Sequence, residues 1–175
     1  MLAGGGSAVI TGRSPGKLRM AVKTPSRQGE AWGIAAELTD RAQVPGVRKQ
    51  LAAERADARL PVNGAGFSPR MRSLNMTKPS TTRSTNLNRA VVFTTRTVVA
   101  GMLAEGTGGA IVNIGALWAH QGIAATPTLR VLCPGPDRHR GREVANMVSF
   151  LLSDKRSWMI GAIVDVDGGV MAGRN

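Results

Sequence analysis

The sequence predicts an α/β fold, a mostly parallel sheet with flanking helices, and three observations predict it. The candidate strands are unbroken apolar runs, such as "AVIT", "AIVNI" and "AIVDV", rather than alternating ones. Such runs suit strands buried on both faces, as in parallel sheets. Helical patterns separate them, and parallel neighbours need a crossover of that kind. Turn-forming segments, "TGRSPG", "NGAG", "NIGA" and "CPGP", follow the strands. Open parallel sheets hold their ligands at those ends.

Ala8–Thr11 reads as a first strand meeting the turn "GRSPG". A helix can run from Gly16 through Val22 before "TPSRQG" breaks it. Ile34–Leu38 is the next strand. Thr39 or Asp40 can cap a helix running toward Ala58, with Val47, Leu51 and Ala58 near one face. Pro45 forces a late start or a kink there. Leu60–Asn63 is a short strand, and the polar, aperiodic stretch Pro69–Ser84 is expected to be irregular. Asn86–Glu105 is a clear helix, with Leu87, Val91, Val98 and Met102 at helical spacing and Gly106 as its stop. Ala110–Ile114 and Leu129–Cys133 are strands, Glu143–Ser153 a helix and Ala162–Val166 a last strand. The connection "GALWAHQGIAATPT" between two of these strands has no helical period. A crossover helix is missing where parallel neighbours would need one.

Composition bounds the function. At 175 residues the chain suits one domain over residues 1–175. A single cysteine, Cys133, excludes an intrachain disulfide framework. His120 and His139 give no metal-ligand spacing with it, so no metal is expected. No apolar stretch is long enough to span a membrane, and no secretory signal is visible, so a cytoplasmic chain is expected. The net charge is +12, and 15 of the 23 basic residues fall in the first ninety positions. That excess suits a polyanion partner, but the basic residues are scattered singly and without an aromatic platform. Nucleic acid is therefore not the expected partner.

The order of "AVITGRSPGKL", "PVNGAG", "NLNRAVVFTTRTVVAGML", "GGAIVNIGA", "RVLCPGP" and "MIGAIVDVDGG" resembles the short-chain dehydrogenase/reductase family. The likeness is densest over 86–125 and 143–173. It implies a Rossmann-like sheet and an NAD(P)-dependent oxidoreductase. The family's TGxxxGxG cofactor loop is matched at Thr11, Gly12 and Gly16, with Leu18 in place of the last glycine. Arg13 in that loop would suit a 2′-phosphate. Glu37-Leu38 stands near the adenine position. The NNAG motif is matched by Asn63-Gly64-Ala65-Gly66, and the Pro-Gly after the sixth strand by Pro134-Gly135. Thr11, Gly12, Arg13, Gly16, Leu38, Asn63, Ala65, Gly66, Pro134 and Gly135 are the implied cofactor residues. The cofactor is NAD or NADP, held weakly or lost.

Asn86 is the one implied catalytic position that survives. Ala116 stands where the family has its Ser. The chain holds no tyrosine, and no lysine lies between Lys78 and Lys155, so the family's YxxxK pair is missing. A phenol near pKa 10 needs a neighbouring cation to move protons near neutral pH, and neither group is present. The reading is a truncated or degenerate member with incomplete sheet and impaired chemistry. Two alternatives stand beside it: a non-catalytic nucleotide- or polyanion-binding module, and an active site rearranged around His120. A homo-oligomer would form through the helix beginning at Asn86.

Overall fold

The computed structural model describes residues 5–23, 29–66, 77–115 and 138–167, with the backbone alone at 138–140. In chain order the elements are β1 (Ala8–Gly12), α1 (Pro15–Lys23), β2 (Ala31–Ala35), α2 (Val44–Glu54), β3 (Val62–Asn63), α3 (Lys78–Ala104), β4 (Val112–Asn113), α4 (Arg138–Leu151) and a short 3-10 turn (Asp154–Arg156). The expected class holds, an α/β fold with parallel strands. β1 pairs with β2 and β3 with β4, both in parallel.

The chain divides into two compact units, Met1–Arg59 with Thr82–Thr107, and Leu60–Thr81 with Gly108–Asn175. In the first, β1 and β2 match residue for residue from Ala8↔Ala31 to Gly12↔Ala35. Successive strand residues face opposite sides. Gly33 therefore faces α1, where Leu18 is buried, and Ile34 faces α2. Ile34, Ala36, Val47 and Leu51 form the buried cluster on that side, with Val9 and Leu38 packed against it. Beyond α2, the carbonyl of Ala56 comes so close to α3 that a Cβ on Gly101 would lie 3.0 Å from it. Arg48 Nε donates to Thr97 Oγ1 at 2.9 Å across the same pair of helices.

In the second unit the pairing extends slightly past the two-residue strands. Val112 N donates to Pro61 O at 3.0 Å and Ile114 N to Asn63 O at 2.9 Å. Ala110, Val112 and Leu152 are the buried cluster, with Leu60, Ile114, Val148 and Leu151 against it.

Several boundaries differ from expectation for identifiable reasons. β2 ends at Ala35 rather than Leu38, because its partner β1 stops at Gly12 and no ladder remains. Gln43, not Thr39 or Asp40, precedes α2, since Pro45 must occupy the first turn. Ala58 lies beyond that helix. α3 starts at Lys78, so Lys78–Ser84 is helical rather than irregular. Thr77 and Ser80 cap it: Ser80 N donates to Thr77 Oγ1, and Thr77 N to Ser80 Oγ. That is the reciprocal pattern of a capping box with Ser in the third position. At its other end Gly106, at φ +63°, sits in the left-handed region, and Thr107 N donates to Met102 O at 2.9 Å, a Schellman stop at the expected residue. Ala162–Val166 is exposed and not a strand, because no ladder partner holds it among the described residues. The expected strand Leu129–Cys133 lies outside the described residues.

Candidate functional site

Thr11 and Gly12 end β1, Arg13 follows, and Gly16 lies in the first turn of α1. A pyrophosphate turn needs a glycine to bend the chain, a second for backbone approach, and a third for close helix–sheet packing. It also uses free N–H groups at the helix N-terminus. Among the described glycines only Gly5, Gly106 and Gly161 take positive φ, so Gly12 and Gly16 do not use that freedom. A Cβ on Gly16 would meet nothing within 4 Å, and one on Gly12 would meet only Leu18 Cδ1 at 3.6 Å. The third position is Leu18, whose side chain fills the helix–sheet interface. The small residue that admits it is Gly33 on β2, where a Cβ would lie 2.9 Å from Leu18 Cγ. The helix opens on Pro15, which has no N–H to offer. This turn does not fit a dinucleotide pyrophosphate.

The turn after β2 is built differently. Glu37 N donates to Gln43 Oε1 at 2.9 Å, and Thr39 N donates to Glu37 Oε1 at 3.1 Å. Ala42 N donates to Asp40 Oδ1 at 3.0 Å, and Gln43 Nε2 to Asp40 Oδ2 at 3.0 Å. Leu38 packs on the core beneath it rather than presenting a free surface. Two arginines reach Glu37 Oε2, Arg13 at 3.5 Å and Arg83 at 3.7 Å. The Thr39 N–H is the main cause that holds the Glu37 carboxyl below its ordinary range, against partial burial, with Arg13 adding to it. Asp40 is lowered by the Ala42 N–H and then by the Gln43 amide.

Asn86 Nδ2 donates to the Thr39 carbonyl at 3.0 Å, so the residue that the resemblance marks as catalytic ties α3 to this same turn. Sequence reasoning did not find Arg83, which fell in the stretch expected to be irregular. Its only signal was the Thr77–Ser80 capping pair that starts the helix early.

In the second unit, Asn63 ends β3 and its Nδ2 donates to Asn113 Oδ1 at 2.8 Å. Ala65 and Gly66 follow in an exposed, extended stretch. Pro134, Gly135, Ala116 and His120 lie outside the described residues. Among the described residues no helix is long and apolar enough to cross a membrane.

The described residues thus give a glycine turn without phosphate features and a polar turn that gathers Arg13, Glu37, Arg83 and Asn86. Comparison with known proteins places this arrangement. The short chain dehydrogenase family model matches residues 1–128. No curated protein matches. Among solved structures, one assigned as a betaketoacyl-ACP reductase is 25% identical with a TM-score of 0.79, covering 98% of this chain and 90% of its own. A short chain dehydrogenase/reductase family protein is 26% identical with a TM-score of 0.76, covering 96% and 88%. A short-chain dehydrogenase from Sphingobium yanoikuyae in complex with NADPH is 24% identical with a TM-score of 0.62, covering 69% and 48%. The family model spans most of the chain and the fold agrees with these structures: the chain belongs to the short chain dehydrogenase family.

Proposed function

We propose that the chain is a catalytically impaired member of this NAD(P)-dependent oxidoreductase family. The observation that carries the reading is the proton relay. The chain has no tyrosine at all, Ala116 stands for the family Ser, and no lysine follows Lys78 before Lys155. A positioned acid–base group contributes about 10² to 10⁴ in rate. The amide of Asn86 is engaged by the Thr39 carbonyl, which supports a positioning role within the fold. The same reading takes residues 1–175 as one family domain, cytoplasmic, with any dinucleotide held weakly. Val92 and Leu103, exposed on α3, support a homo-oligomer through that helix.

The test is a panel of carbonyl and alcohol substrates with NAD(H) and NADP(H), followed at the reduced-nicotinamide absorbance. No turnover is expected. Robust turnover that Asn86→Ala abolishes would overturn the reading.

A further inference from the structure

The pattern of strand pairing points past the turn that the motif match selects. In the doubly wound order 3-2-1-4-5-6, the first strand has two hydrogen-bonded neighbours, the second and the fourth. Among the described residues β1 has one neighbour, β2, and β3 pairs only with β4. Counting β1–β4 as strands 2, 3, 4 and 5 accounts for both pairs, since 2-3 and 4-5 are adjacent in that order. It leaves strands 1 and 6 unaccounted for, and the expected sixth strand, Leu129–Cys133, lies outside the described residues. Counting β1 as strand 1 would put the family's phosphate turn where Pro15 opens the helix and Leu18 fills the third glycine position.

We propose that β1–α1–β2 is the second-to-third-strand unit of the family sheet. The edge of β1 opposite β2 is then the docking site for a first strand and its glycine-rich turn, carried by another polypeptide segment. The proposal rests on family membership. Three further observations agree. The turn after β1 fails as a phosphate turn at each glycine position, as it should if the phosphate turn belongs to the strand before it. Arg13 directly follows β1, and the end of strand 2 is where an arginine accommodates a 2′-phosphate. The two nearly full-length structural matches cover 98% and 96% of this chain but 90% and 88% of their own, so each relative carries a stretch that this chain does not match. The occupant is thereby specified: a parallel apolar strand, because Val9 and Ile10 on β1 are apolar and only half-buried, followed by glycines at a helix N-terminus. Adding a strand to an open edge supplies main-chain hydrogen bonds and covers that edge.

The test joins the first strand, glycine-rich turn and following helix of the betaketoacyl-ACP reductase relative ahead of Met1. It compares that fusion with the 175-residue chain. Thermal unfolding and NADPH binding, read by the fluorescence of the reduced nicotinamide, are the measurements. The fusion should melt about 4 °C or more above the parent and bind NADPH at least about tenfold tighter. A proline in the middle of the added strand should remove both gains, since it breaks the ladder. Absence of either gain overturns the proposal. So does NADPH binding by the parent that equals the fusion's and is abolished by Gly12→Val or Gly16→Val. Neither readout depends on turnover, so failure here is separate from failure of the impaired-catalyst reading.

Discussion

The turn after β1 and the turn after β2 have the same job, to lead a parallel strand into a helix, and they do it by opposite means. The first is rich in glycine and lets α1 start within three residues of the strand. Its glycines are neither conformationally required nor closely approached. The second contains no glycine from Ala36 to Gln43 and is closed by four side chain hydrogen bonds through Glu37, Asp40 and Gln43. Beneath it lie Leu38 and the buried cluster of Ile34, Ala36, Val47 and Leu51. A glycine marks function only where a turn, a left-handed residue or a close approach uses it. Short polar side chains that pair with nearby backbone mark a built turn more dependably.

The comparison breaks most visibly from below. Leu51→Ala removes the buried side chain that supports the second turn and should cost about 2–4 kcal/mol of stability. Chemical denaturation of the first unit measures it, and a loss under about 1 kcal/mol would show that the turn does not rest on this cluster. Next in size is Glu37→Gln, which releases the two arginines and weakens the bond from Thr39. The pairs are partly exposed, so the cost should be about 1 kcal/mol. This substitution also sharpens the pH behaviour. The folded-state pKa values of Glu37 and Asp40 lie below the ordinary 4.5 and 3.8. The fold therefore favours their ionised forms. Their contribution is fully present above those ordinary values and is lost as pH falls through the lowered ones. Stability should fall as pH drops below about 4.5, and Glu37→Gln should flatten part of that fall. The smallest effect has the opposite sign. Gly16→Ala places a methyl group in open space on a helical residue of negative φ, and should raise stability by about 0.5 kcal/mol. Equilibrium unfolding in urea reads it, and a destabilisation would restore a structural need for that glycine.

The sequence was most legible where one periodicity ran long. Leu87, Val91, Val98 and Met102 announce α3, and Gly106 ends it with the bond from Thr107 to Met102. Apolar runs gave the parallel strands but not their limits, because a strand ends where its partner does and the partner is remote in sequence. Glu37 and Leu38 read as strand residues for that reason. Ala162–Val166 has strand composition and no ladder among the described residues, which shows how much of strand formation belongs to the neighbour. Of the site, the motif residues at β1 were legible as letters, but their geometry was not. Leu18 in the third glycine position was the visible warning. Arg83 could not be read at all, since its role depends on where α3 sets it against Glu37 rather than on anything adjacent in the chain.

The guanidinium of Arg55 lies 3.4 Å from the centre of the Trp32 ring, stacking the residue after α2 on the first half of β2. Trp158, by contrast, is 97% exposed. The two indoles therefore experience unlike surroundings, one against a delocalised cation and the other in water. That difference makes Trp32 an intrinsic optical reporter for the β1–β2 unit. With Trp118 and Trp158 replaced by phenylalanine, its emission would follow the Arg55 stack alone, and the unfolding of that unit could be watched without any label.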